Sequence, residues 1–127
     1  MLDKNAILSA DDLPGEVVAI PEWGGSIKVR SMTAKEREDF SAGLRDKDGN
    51  VVTASWKARL VALTVVDDNG QRVFADADAD ALAGKSALVI ERLSEVALRL
   101  NGLGTEQAVI AKNSPGEPSA ASSSGSP

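Results

Sequence analysis

From Ala54 to Phe74 the chain reads ASWKARLVALTVVDDNGQRVF. Trp56, Leu60 and Leu63 recur at i, i+4 and i+7, which is one face of an α-helix. Over LVALTVV, Leu60 to Val66, no charge appears and the apolar positions wrap around the helix instead of forming a stripe. A helix of that kind must be covered on several sides, so it predicts the centre of the core. Seven residues are far short of the roughly 20 that cross a bilayer. Asp67-Asp68-Asn69-Gly70 then breaks the pattern, and Asn-Gly signals a tight reversal. The spacing predicts a central helix, a turn, and a short strand over Gln71 to Phe74.

Upstream the period changes. Residues 3–10 allow a turn or two of helix, closed by Asp11-Asp12 and Pro14-Gly15. EVVAI, Glu16 to Ile20, and SIKVRS, Ser26 to Ser31, read as two strands. The second alternates Ile27 and Val29 inward with Lys28 and Arg30 outward. Pro21-Glu22-Trp23-Gly24-Gly25 between them is a hairpin loop, and a lone hairpin needs the helices to cover its apolar face. Thr33-Ala34-Lys35-Glu36 fits a capping box. It opens a surface helix to about Leu44, pinned by Phe40 and Leu44. Asp46 to Asn50 is a polar turn.

Downstream, Asp76 is placed to cap a short helix ending at Gly84, with Asp78 favourable to its dipole. A long helix follows from Lys85 or Ser86 to Leu100. Its predicted buried stripe is Val89, Ile90, Leu93, Val96, Ala97 and Leu100, opposite Glu91, Arg92, Glu95 and Arg99. Asn101-Gly102-Leu103 has the form of a Schellman ending, with Leu103 folding back on Leu98. Thr105 is placed to cap a last short helix over 106–112. From Asn113 to Pro127, 11 of 15 residues are Ser, Pro or Gly. Such a segment lacks the apolar surface to order itself. The expected fold is α+β: a mainly α-helical domain over 1–112 with an N-terminal hairpin and a short second hairpin, then a disordered tail over 113–127. The sequence shows no internal repeat.

Composition narrows the chemistry. With two Trp, two Phe and no Tyr in 127 residues, aliphatic side chains must fill the core, which favours helices over a β-sandwich. The net charge is −5 without a basic run, so neither nucleic acid nor an anionic membrane is an expected partner. There is no Cys and no His, which removes the usual nucleophile, general base and transition-metal ligands. No catalytic residue and no cofactor are assigned, and the protein is expected to be no enzyme. The acidic N-terminus is unlike a signal peptide, and a soluble, cytoplasmic protein is expected.

Asp76-x-Asp78-x-Asp80 invites a calcium reading, but a loop starting at Asp76 has Ala81 and Ala87 where Gly and Glu are needed. No metal site is assigned. Trp23 at the hairpin tip has two readings, an anchor for a partner or a side chain that folds back to close the core. Trp56 opens the buried face of the central helix. The candidate partner-binding residues are Trp23, Gly24, Phe40 and Leu88.

Taken in order, PEWGG-(S)IKVR, MTAKEREDF, ARLVAL-VVDDNGQRVF, DADADALAGKS and ERLSEVALRLNGLG resemble the tail assembly chaperones of long-tailed (siphovirus-type) bacteriophages. The segments span roughly Leu2 to Asn113. The resemblance implies a non-enzymatic assembly factor that binds the tape measure protein, keeps it soluble and promotes tail tube assembly around it. It implies host cytoplasm as its location and absence from the finished virion. It also implies, for many such phages, a longer form made by ribosomal frameshifting, whose extension recruits the tail tube protein; Ala111-Lys112-Asn113 is a candidate place for the slip. A homo-oligomer is a further expectation. Two other classes fit the same residues: a structural tail completion or connector protein of the virion, and a small cytoplasmic adaptor.

Overall fold

The computed structural model describes residues 1–51 and 55–104. The expected helix over 106–112 and the tail over 113–127 lie outside the described residues. The elements are α1 (Lys4–Ser9), β1 (Gly15–Ile20), β2 (Gly25–Arg30), α2 (Ala34–Gly43), α3 (Trp56–Thr64), β3 (Val65–Val66), α4 (Ala79–Ala83) and α5 (Ala87–Leu100). The sheet is antiparallel in the order β1-β2-β3. The α+β class read from the sequence is the one observed.

The central helix sits where its apolar surface requires. Leu60 and Val61 are fully buried, and Trp56, Ala58, Ala62 and Leu63 nearly so. α3 packs on α5 and α4, and also meets α2 and β2. Thr64, the one polar side chain in the run, is buried, and its hydroxyl donates to the Leu60 carbonyl at 2.8 Å. The helix ends there, earlier than the apolar run predicts. Val65 and Val66 extend beside β2 in the register Val29↔Val65 and Lys28↔Val66, because the open edge of β2 takes their backbone groups and β-branched side chains suit a strand.

The expected strand over Gln71 to Phe74 reduces to one bridge, Val66↔Arg72. A two-residue partner has little backbone left to pair, so the chain turns away after Val73 donates to the Val65 carbonyl at 3.2 Å. The turn before it occurs twice in the molecule. Asp67 Oδ1 accepts the N–H groups of Asn69 and Gln71, and Asp67 N donates to the Gln71 carbonyl. Asp46 does the same with Asp48 and Asn50. Gly70 and Gly49 lie at φ +79 and +84 at equivalent positions, where a Cβ is strained. DKDGN and DDNGQ are thus one local device, an Asx turn closed by a left-handed glycine, which composition alone does not reveal.

The remaining elements follow their local signals with two corrections. The Thr33–Glu36 capping box forms in both directions. The Schellman ending forms as well, with Leu103 N donating to Leu98 O at 2.9 Å and Gly102 N to Arg99 O at 3.2 Å. Asp76 does not cap its helix. Asp78 accepts the Ala75 N–H at 2.8 Å, whereas Asp76 takes the Arg72 guanidinium at 2.9 Å. The buried stripe of α5 is also rotated: Ser94 and Leu98 are buried, while Val96 and Leu100 are only half-buried. The Ser94 hydroxyl donates to the Glu91 carbonyl at 3.0 Å, so a small self-satisfied polar group tolerates the interior.

Ion pairs tie the hairpin to α5. Arg92 grips Glu22 with both guanidinium nitrogens, at 3.0 and 2.9 Å, and Arg99 bonds Glu16 at 2.8 Å. Asn101 joins the end of α5 to the link between β2 and α2, accepting the Met32 N–H at 2.6 Å.

Candidate functional site

The hairpin tip is built by its loop residues. Pro21 opens a single 3-10 turn through Trp23, where its fixed φ is already suitable. Gly24 closes the turn at φ +78, donating to the Pro21 carbonyl at 3.0 Å. This turn sends the Trp23 indole back across the body, half-buried and packed against the core. One part of the ring covers the core and the rest lines open surface.

Two adjoining depressions share Trp23 and Phe74 as walls. One, of about 570 Å³, is completed by Asp78, Ala81, Leu82 and Lys85. The other, of about 410 Å³, runs along Ile27, Val65, Val66 and Val73, with Lys28, Asp67 and Asp68 at its rim. Together they form an apolar groove beside the edge of the sheet, with charges of both signs around it. Val73 is 52% exposed although its side chain is wholly apolar. Leu88 is 71% exposed on α5. It lies one turn before Arg92, hence on the same helix face, and Arg92 holds Glu22 next to Trp23. The guanidinium of Arg92, with a backbone hydrogen bond, holds the exposed Glu22 carboxyl down to about 2, and Arg92 itself is raised by Glu22.

Phe40 is elsewhere. It is 3% exposed, with its ring tilted against Trp56 at 6.5 Å. It walls a separate cavity of about 210 Å³ between α2 and α3, shared with Asp39, Gly43, Arg59, Ala62, Leu63 and Asp76. The structure therefore gathers Trp23 and Gly24, sets Leu88 to their side of α5, and separates Phe40 from all three. Sequence reasoning missed Phe74, Val73, Leu82 and Lys85 as groove residues. The available signal was weak: Val73-Phe74 is an adjacent apolar pair that a period of two cannot bury on one face.

In the first turn of α2, burial opposes ionisation of Glu36, but hydrogen bonds from Arg30 at 2.9 and 3.1 Å and from the Thr33 N–H outweigh it and lower its pKa. The acidic cluster read against calcium is engaged within the chain, Asp76 with Arg72 and Asp78 with Ala75. No group of three or more metal-binding side chains occurs among the described residues. Nor is any helix among them long and apolar enough to cross a membrane. What the groove offers chemically is the burial of an apolar side chain, oriented by a charged rim.

An α+β body with this order of elements matches a known class. Residues 4–114 fit the family model of the phage tail assembly chaperone, and the chain belongs to that family. Among solved structures it is similar to the tail assembly chaperone of bacteriophage HK97, with a TM-score of 0.57 and 18% identity. The match covers 80% of this chain and 95% of that one; at this identity the likeness is one of fold. No curated protein is significantly similar in sequence.

Proposed function

We propose that this tail assembly chaperone is a non-enzymatic factor that binds the tape measure protein, keeps it soluble and promotes tail tube assembly around it. The groove walled by Trp23 and Phe74 is the contact. The observation that supports this is an apolar groove, with Val73 exposed at its edge and Leu88 to one side, on a chain of this family. The partner's mode is an amphipathic helix laid into the groove, its apolar side chains seated along Trp23, Phe74 and Leu82. Such a contact depends weakly on salt, unlike one made by exposed charges.

Co-expression with the tape measure protein of the same phage tests the reading. The partner's soluble yield should rise and the two should co-purify. Val73→Asp, a change at an exposed position, should abolish co-purification while leaving the melting midpoint in place. A tape measure protein that stays insoluble beside the wild-type chain overturns the reading.

The protein acts in the host cytoplasm and leaves before the virion is complete, so mass spectrometry of purified particles should not find it; its presence there would mark a structural tail component. The Ser, Pro and Gly content of 113–127 supports a tether to a longer, frameshifted form whose extension holds tail tube protein near the tape measure. A slippery heptamer between the codons for Leu103 and Pro127, with an overlapping downstream frame, is the expected gene structure, and its absence refutes the longer form. Self-association would multiply the copies coating one rod, and light scattering of the purified chain measures it.

A further inference from the structure

Five asparagines occur in the chain, and two of them, Asn69 and Asn101, stand directly before a glycine. That neighbour matters for one reaction of the asparagine side chain. The main-chain nitrogen of the next residue can attack the side-chain carbonyl carbon and expel ammonia, closing a cyclic imide, a succinimide. A Cβ on the attacking residue crowds the approach, and glycine has none. The other three asparagines are followed by Ala6, Val51 and Ser114, each of which carries one.

The fold treats the two Asn-Gly pairs in opposite ways. Asn101 is half-buried and held at both ends of its amide: Oδ1 accepts the Met32 N–H at 2.6 Å, and Nδ2 donates to the Ala97 carbonyl at 2.7 Å. Its carbonyl carbon cannot turn toward Gly102 unless both bonds break. Asn69 is exposed, and its side-chain amide has no hydrogen-bond partner among the described residues. Gly70 N donates to the Asp67 carbonyl at 3.0 Å, but Gly102 N is engaged in the same way with the Arg99 carbonyl at 3.2 Å. The main-chain bond therefore does not separate the two sites; the side chain does. A Cβ placed on Gly70 would meet nothing within 4 Å, so water reaches the imide once it has closed. The segment that follows the turn joins the sheet by the isolated bridge Val66↔Arg72, and a stretch so lightly held opens locally at little cost.

We infer that Asn69 is a site of spontaneous covalent modification, converting through a succinimide to isoaspartate and aspartate, while the fold protects Asn101. In the first step the bond from Gly70 N to Asn69 Cγ forms and the Cγ–Nδ2 bond breaks. The Gly70 amide proton leaves with the side-chain nitrogen as ammonia. In the second step one water adds across an imide C–N bond. Opening at the main-chain carbonyl leaves isoaspartate, and opening at the side-chain carbonyl leaves aspartate. Water is the one co-reactant, and nothing is oxidised or reduced. Either product adds a negative charge beside Asp67 and Asp68, which stand at the rim of the Trp23–Phe74 groove. Isoaspartate also adds a carbon to the main chain inside the turn that pairs Asp67 N with Gln71 O at 2.8 Å, so the path to Val73 and Phe74 lengthens. The reaction needs no partner in the groove, and its failure leaves the groove reading untouched.

The test incubates the full chain in warm neutral buffer and digests samples with trypsin over time. Cleavage after Arg59 and Arg72, and after Arg99 and Lys112, places the two Asn-Gly pairs on separate peptides, 60–72 and 100–112. Mass spectrometry reads the conversion of amide to acid in each. Peptide 60–72 should convert, with isoaspartate among its products, recognised by an isoaspartyl methyltransferase. Peptide 100–112 should convert at least about tenfold more slowly, because two hydrogen bonds must break first. In the chain unfolded by guanidinium the two should react at similar rates, which assigns the difference to the fold. Each of four results overturns the proposal. Peptide 60–72 left intact after the unfolded chain has converted would show that the turn protects Asn69. Equal rates for both peptides in the folded chain would remove any role for the bonds of Asn101. Conversion of 60–72 that persists in Asn69→Ser would place the change at Gln71. Aspartate without isoaspartate would mean direct hydrolysis of the amide, with no attack by Gly70.

Discussion

Replacing Asn101 tests how the end of α5 is fastened to the rest of the molecule. Its Oδ1 accepts the Met32 N–H at 2.6 Å and its Nδ2 donates to the Ala97 carbonyl at 2.7 Å. Met32 is 7% exposed, so in Asn101→Ala its N–H has neither protein nor ready water as partner, at a cost of ~1–3 kcal/mol. The Ala97 carbonyl keeps the main-chain N–H of residue 101, at 3.1 Å in the native chain, so losing its second bond costs about 1 kcal/mol. The sum is about 2–4 kcal/mol, a large share of the ~5–15 kcal/mol typical of a domain. Asn101→Asp retains the acceptor for Met32 but loses the donor and places a negative charge at a helix C-terminus, for about 1–2 kcal/mol in all. Urea titration of the three proteins should give midpoints in the order Asn, Asp, Ala with one common m-value. A loss below about 0.5 kcal/mol in Asn101→Ala, or an Asp variant weaker than the Ala one, refutes the assigned role of Met32.

Leucine deletions should separate the interior from the groove side: Leu60→Ala, at a fully buried site, should cost ~2–5 kcal/mol, and Leu88→Ala, at a 71% exposed one, less than about 0.5 kcal/mol, both read from denaturant midpoints. Glu22 has a folded pKa lowered from 4.5 to about 2, so the stability it adds is present above 4.5 and is lost as pH falls toward 2. Because the pair is exposed, salt should shrink that effect, and Glu22→Gln should flatten the pH dependence in that window; an unchanged profile refutes the link to Arg92. Truncation after Asn113 should leave the melting midpoint unchanged within about a degree, whereas a drop of several degrees, near ~1 kcal/mol, would show that the tail contributes to the fold.

Local signals were legible in the sequence, and contacts between distant segments were not. The capping box at Thr33 and the Schellman ending at Gly102 need only three to six adjacent residues, and both form as read. The end of α3 could not be read, because LVALTVV is apolar throughout. Only the presence of β2, some 36 residues earlier, decides that Val65 and Val66 leave the helix. The α5 stripe was read one step around because Ser94 counts as polar in a pattern, whereas its hydroxyl is satisfied within its own helix. The groove was half visible: Trp23 and Gly24 announce an exposed tip, but nothing local announces that Phe74 stands beside it.

The bonds between the hairpin and α5 also set the order in which the molecule can assemble. Glu22, Met32 and Glu16 find their partners 70, 69 and 83 residues further along. Closing loops of that length is entropically unfavourable and is repaid only when the far partner arrives. A chain emerging from the ribosome can therefore form the β1–β2 ladder early but cannot hold it, since an isolated hairpin is marginal. Its apolar face stays open until Leu93 and Ala97 have been made. α5 acts as a latch, and a nascent chain stopped short of Arg99 lacks that helix's cover on the sheet.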